Sequence, residues 1–279
     1  GLVYLMIGET MEEFAFSDKA EEGPIVTSGE FRTTVFGPAI TAFTAAVDDP
    51  DIGLQAQAML ARAAQAREIR EVAKSNPNPD DPSENYVSVP EANAAAEAVL
   101  AAADMDWYWE ATYSAATIGN EMANWINSRG EPLVSPSLLE LADPIDDDVL
   151  GAMPIIDRFR VGSDNFTPLT LTSTRQMHLI LAEAALAGGG GDFAGSINAV
   201  RELDGLTPYS GQVTEHEMLD YSRRANLPLQ GQRLLDMYRF GVVDDLWLPN
   251  NTAPTAPGTL IPISCVEIRA NSQLDNSPC

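Results

Sequence analysis

Four consecutive glycines, Gly188–Gly191, separate two stretches of helical pattern, Arg175–Leu186 and Phe193–Leu203. No other feature restricts the fold as much. Glycine tolerates positive φ, so the run ends the first helix and lets the chain reverse. The second helix must then lie beside the first. The result is an αα-hairpin with small residues at the crossing ("LAEAALAGGGG"). A phosphate loop matches the glycines in composition alone, because no Lys-Ser/Thr follows and no strand precedes.

The same pattern recurs along the chain. Ile52–Ala73 reads as a strong helix, with Leu54, Ala58, Ala61 and Ala64 forming a small-residue face. Pro90–Ala103 is a second Ala-rich helix, with Pro90 suited to its first turn. Glu215–Asn226 and Gly231–Tyr238 read as further helices, and Gly1–Phe16 as an apolar one without an N-cap. Glu30–Val47 is helical in pattern but should kink or split at Pro38. Thr117–Asn127 reads as a short helix. Asp106–Tyr113 ("DWYWEATY") alternates as a strand does. Polar, proline-rich loops occupy Ser75–Val89 and Asn250–Gly258, and Arg129–Thr174 is mostly irregular. The expected fold is mainly α: antiparallel helix pairs of tetratricopeptide type, long irregular loops, and at most a short strand or hairpin. All 279 residues form one domain on this reading. Residues 1–113 hold partial helix pairs, 114–174 a loop-rich insert, and 175–279 the most regular part.

Charge narrows the partners. The formal net charge is −25, and the only lysines are Lys19 and Lys74. Such a surface repels phosphate backbones and anionic lipid heads, which excludes nucleic acid as an expected partner. Neutral sugars, cations and basic partners remain. No stretch reaches the roughly twenty apolar residues of a membrane span. Gly1–Gly8 ("GLVYLMIG") is too short for a span and lacks the basic head and cleavage site of a secretory signal.

No catalytic constellation, metal site or cofactor motif assembles from the sequence. The helical zinc-protease motif needs a second histidine four residues after His216, where Asp220 stands. His178 lies on an apolar helix and reads as a core histidine. Asp143, Asp146, Asp147 and Asp148 supply oxygens of the kind calcium takes, but their spacing is not that of an EF-hand, and a solvated acidic loop is the simpler reading. Cys265 and Cys279 make a candidate disulfide that would pin the C-terminal tail and imply an oxidising compartment.

Five segments then follow one another in a telling order: "LILAEA" (Leu179–Ala184), "SINAVRE" (Ser196–Glu202), "GLTPY" (Gly205–Tyr209), "RRANLPLQGQRLLDMYRFG" (Arg223–Gly241) and "IPISCVEIRANSQL" (Ile261–Leu274). Their order and spacing resemble the C-terminal half of the SusD/RagB family. "YLMIGE" (Tyr4–Glu9) and "EATYS" (Glu110–Ser114) fit more loosely. The resemblance implies an exported, helix-rich, non-catalytic glycan-binding protein that acts with a TonB-dependent transporter at the outer-membrane surface. The chain departs from the family at Asn226, Pro228 and Gln230, and the family's N-terminal portion has no counterpart. The apolar start would then be covered by another segment or by a neighbouring copy. The second reading follows from this: a subunit of an extracellular, glycosylated filament, completed by other copies of itself.

Glycan contacts in the family come from variable loops, so candidates come from residue chemistry. Indole and phenol rings stack on the apolar faces of sugars. Trp107, Tyr108 and Trp109 are candidates on the expected strand, with Trp125 and Trp247 elsewhere. Burial in the core is the competing role for each. Asn165 and Asn250 head the two glycosylation triplets. Arg201, Arg223, Arg224 and Arg233 fall on the signature helices and read as structural ion-pair anchors, with Asp236 and Glu183 as partners.

Overall fold

The structure is a computed structural model that describes residues 1–17, 21–75, 77–78, 80–129, 136–161, 164–242, 260–261, 263 and 265–274. Its elements in chain order are α1 (Leu2–Thr10), β1 (Phe14–Ala15), β2 (Ile25–Val26), α2 (Gly37–Thr44), α3 (Gly53–Lys74), α4 (Pro90–Ala102), β3 (Tyr108–Ala111), α5 (Glu121–Ala123), α6 (Pro136–Leu139), α7 (Met153–Phe159), β4 (Leu169–Ser173), α8 (Thr174–Leu186), α9 (Phe193–Leu203), α10 (Glu215–Asn226), α11 (Arg233–Arg239) and α12 (Cys265–Ala270). The protein is mainly α-helical. The strands form two antiparallel ribbons, β1–β2 and β3–β4.

The pillar is α3, 22 residues and about 33 Å long. Helices α1, α2, α4, α8 and α11 all pack on it. Its alanines explain how so many neighbours fit: Ala58, Ala61, Ala63 and Ala64 are wholly buried and let helix axes approach closely. They face Ala92, Ala95, Ala96 and Val99 of α4 in the largest hydrophobic cluster. A second cluster fills the space among α8, α9 and α10, from Leu179 and Ala182 to Ile197, Val200, Met218 and Leu219.

The glycine hairpin forms as its composition requires. Ser173, ending β4, caps α8 by accepting from the Gln176 N–H. At the other end Gly189 N–H donates to Ala184 O, and Gly188, Gly190 and Gly191 take positive φ. Asp192 caps α9 through the Gly195 N–H at 2.9 Å.

One expectation needs correction. The first helix ends at Thr10, not Phe16. Thr10 bonds back to Met6 O, Met11 bridges to Ile261 in parallel register, and Phe14–Ala15 pair with Ile25–Val26. Pro38 stands where its segment divides, between a wide turn over Arg32–Phe36 and α2. The turn before it widens, with Gly37 N–H donating to Arg32 O, so the ring finds room at the start of α2. The stretch from Arg129 to Thr174 is irregular over most of its described part, as expected, with α6, α7 and β4 set into it. No helix of the described residues is long and apolar enough to cross a membrane.

Candidate functional site

Trp125 lies in the helical segment that starts with α5 and continues as a wide turn over Asn124–Arg129. Asn120 starts this segment, its side-chain oxygen accepting from the Met122 and Ala123 N–H groups. The Asn120 amide also reaches the Thr167 carbonyl at 2.8 Å, and its backbone N–H donates to Asn165 O. Asn127 ties the far end to the Phe159 and Asp164 carbonyls, both at 3.1 Å. These bonds fix the segment against residues 164–167 although little of it is buried.

Large apolar side chains stand exposed on and beside the segment. Trp125 is 46% exposed, Met122 37%, Ile118 69% and Phe166 37%. Met122 and Trp125 are one turn apart, so their side chains are neighbours. Phe166 lies beside Gly119. Asn124 and Glu121, hydrogen-bonded to each other at 3.2 Å, supply a polar fringe. A flat indole flanked by amide and carboxylate groups can stack on a sugar ring and bond its hydroxyls at the rim.

The other aromatic candidates are placed differently. Trp107 and Trp109 pack against the cluster around α3 and α4, which turns the expected strand platform inward. Tyr108 points to the opposite face, as strand alternation requires. Its ring is covered by the Arg158 guanidinium at 3.8 Å, and Arg158 in turn pairs with Glu110 at 3.0 Å. Burial pushes the Tyr108 hydroxyl pKa upward. Trp247 lies outside the described residues.

Asn165 is half-buried, and its side-chain oxygen accepts from Ser128 Oγ. Thr167 of the same triplet is buried. Asn250 and Cys279 lie outside the described residues, and Cys265 opens α12 at an exposed position.

The acidic loop accepts an arginine. Asp143 is 1% exposed and accepts from the Ile145 and Asp146 N–H groups. It forms a two-pronged pair with Arg201, at 2.7 and 3.1 Å, while Asp146 joins at 3.2 Å. Burial alone would raise the Asp143 pKa. The Arg201 bond and the two backbone donors outweigh it and hold the carboxyl below its ordinary range. The solvated-loop reading thus holds for Asp147 and Asp148, which are exposed, and fails for Asp143. Among the described residues no group of three or more His, Cys, Asp or Glu is arranged to hold a metal ion.

The remaining charges form a core network. Glu183, wholly buried, accepts from the Val87 N–H at 3.0 Å, from Gln65 at 3.2 Å and from both terminal nitrogens of Arg239. Arg223 lies 3.5 Å from Glu183 and donates to Asp236 at 2.8 Å, and Asp236 also accepts from Arg239 at 2.8 and 3.0 Å. Arg224 and Arg233 share Asp220, at 3.8 and 2.6 Å, nearer the surface. Sequence reasoning missed Arg239, Arg62, Arg70 and Arg175. Arg62 pairs with Glu9 and holds the Leu171 and Gln230 carbonyls. Arg175 grips Asp204 and Asp106, and Arg70 holds the Gly8 and Met11 carbonyls. One signal was available for them: an arginine inside a helix face that is otherwise apolar. His178 and His216 have pKa values lowered by burial, and His216 Nδ1 lies 3.1 Å from the Tyr86 hydroxyl.

No protein-family model, no curated protein and no solved structure matches this chain.

Proposed function

We propose that this protein is an exported, non-catalytic glycan-binding protein of SusD-like type, presenting neutral oligosaccharide to an outer-membrane TonB-dependent transporter. The observation that carries the reading is the open Trp125 face, held by the Asn120 and Asn127 bonds, with exposed Met122 one turn away. An indole this exposed on a braced segment forgoes burial that would stabilise the fold. The ordered signature segments support the same reading as a resemblance, and the net charge of −25 favours neutral over acidic sugars. The buried arginine–carboxylate pairs serve the scaffold. The test is a titration of neutral oligosaccharides followed by tryptophan fluorescence. Trp125→Ala is expected to weaken binding about tenfold, roughly 1.4 kcal/mol. Equal affinity in the variant, or a wild-type protein that binds none of a broad panel, ends the reading.

One observation favours a second reading, the filament subunit. Val3 and Met6 stand 69% and 42% exposed, one turn apart on α1. A neighbouring copy seated there would bury both. In negative-stain electron microscopy of native material, long regular fibres would make assembly the main role. Discrete particles would leave the glycan reading in place.

A further inference from the structure

We infer that the polar seam along the Arg62 and Gln65 side of α3 is a binding site for ordered water. The two residues lie one turn apart and connect two groups of buried polar atoms. At one end the Arg62 guanidinium bridges the Leu171 and Gln230 carbonyls. Next to Leu171, the Thr172 hydroxyl donates to Gln176 Oε1 at 2.9 Å. At the other end Gln65 donates to Glu183, which faces Arg223.

Each end leaves strong hydrogen-bonding groups without a partner among the described residues. At the Arg62 end these are Gln176 Nε2, a donor, and Gln230 Oε1, an acceptor. At the Gln65 end it is Nη2 of Arg223, a donor, while Nη1 stands 3.5 Å from Glu183 Oε2. Gln176 is 0% exposed, Arg223 2% and Gln230 6%, so bulk solvent does not reach them. A buried polar group left unpaired costs about 1–3 kcal/mol, and more when charged. Native interiors avoid that cost with internal water. Exchanging the oxygen and nitrogen of either amide moves the unpaired atom without removing it, since each amide has one engaged region.

The local charge selects water over an ion. Arg223 and Arg239 are balanced by Glu183 and Asp236 within the same cluster. An anion on the Arg223 fork would meet two buried carboxylates, and a cation would meet two guanidinium groups. Water alone accepts from Arg223 and donates to carboxylate, and at the other end it can accept from Gln176 Nε2 or donate to Gln230 Oε1.

An atomic-resolution crystal structure of the intact protein tests this. Water peaks within hydrogen-bonding distance of Arg223 Nη2, of Gln176 Nε2 and of Gln230 Oε1 are expected. Gln230→Met, which keeps side-chain length and removes the acceptor, is expected to lose the peak beside residue 230 and keep that at Arg223. Chloride-like density on Arg223, Nη2 bonded directly to a protein acceptor, or a peak beside residue 230 unmoved in Gln230→Met would each overturn the inference. In solution, long-lived water should show cross-relaxation with the Arg223 guanidinium protons of the unmodified protein, and absence of that signal would overturn it equally.

Discussion

Glu183 is the residue on which most of the helical packing converges. Its two oxygens take donors from α3, from the segment before α4, and from α11, and Arg223 of α10 approaches it as well. Glu183→Gln preserves the shape and removes the charge, which leaves Arg239 and Arg223 to share Asp236. Breaking a buried pair in this way costs about 3–5 kcal/mol. Urea unfolding should show a free energy lowered by that amount, seen as a lower midpoint with an unchanged slope. A loss under about 1 kcal/mol, the size of a surface pair, would mean that the cluster is solvated. The helical position and small-residue surroundings of Glu183 were legible in "LILAEA". Its partner Arg239 was not, because the two lie 56 residues apart and only the packing of both α8 and α11 on α3 brings them together.

At the scale of elements, helices with their own caps and amphipathic faces have the bounds their sequence suggests. Phe193–Leu203 and Glu215–Asn226 begin after Asp192 and Thr214, each of which bonds a free N–H of the first turn. Elements without such local signals were missed. Leu169–Ser173 is a strand because Tyr108–Ala111 pairs with it, and Met153–Phe159 and Cys265–Ala270 are too short to be stable alone. The glycine hairpin offers a clean test of a local signal. At Gly190 φ is +83°, and an added Cβ would meet nothing within 4 Å. Gly190→Ala should therefore act through backbone strain alone, destabilising the protein by about 1 kcal/mol. Thermal unfolding that shows no loss would mean that the turn relaxes to negative φ.

For the whole molecule, the buried carboxylates couple stability to pH. Burial by itself raises the Asp236 pKa, but the Arg223 and Arg239 guanidinium groups outweigh it and hold the group below its ordinary value. Asp143 is depressed through Arg201 and two backbone donors, again against burial. A carboxyl whose folded pKa lies below the unfolded one stabilises the protein fully above the unfolded value. That contribution is lost as pH falls through the folded one. With unfolded aspartate near about 3.9, stability should hold above about pH 5 and fall steeply below about pH 4. Melting temperatures recorded across that range check the sign. Asp236→Asn should give a lower but flatter profile, and a variant as steep as wild type would remove Asp236 as a source of the dependence.

The sequence by itself determined the class of fold. Helical periodicity, alanine faces and the glycine break are local signals, and local signals suffice for helices that bury one face. Tertiary structure decided which side chains meet. It turned Trp107 and Trp109 toward the core and left Trp125 open, because strand pairing and the bracing of residues 120–127 depend on residues 164–173. It also made Asp143 a buried partner of Arg201. Burial and charge pairing are properties of neighbours in space, and no spacing along the chain encodes them.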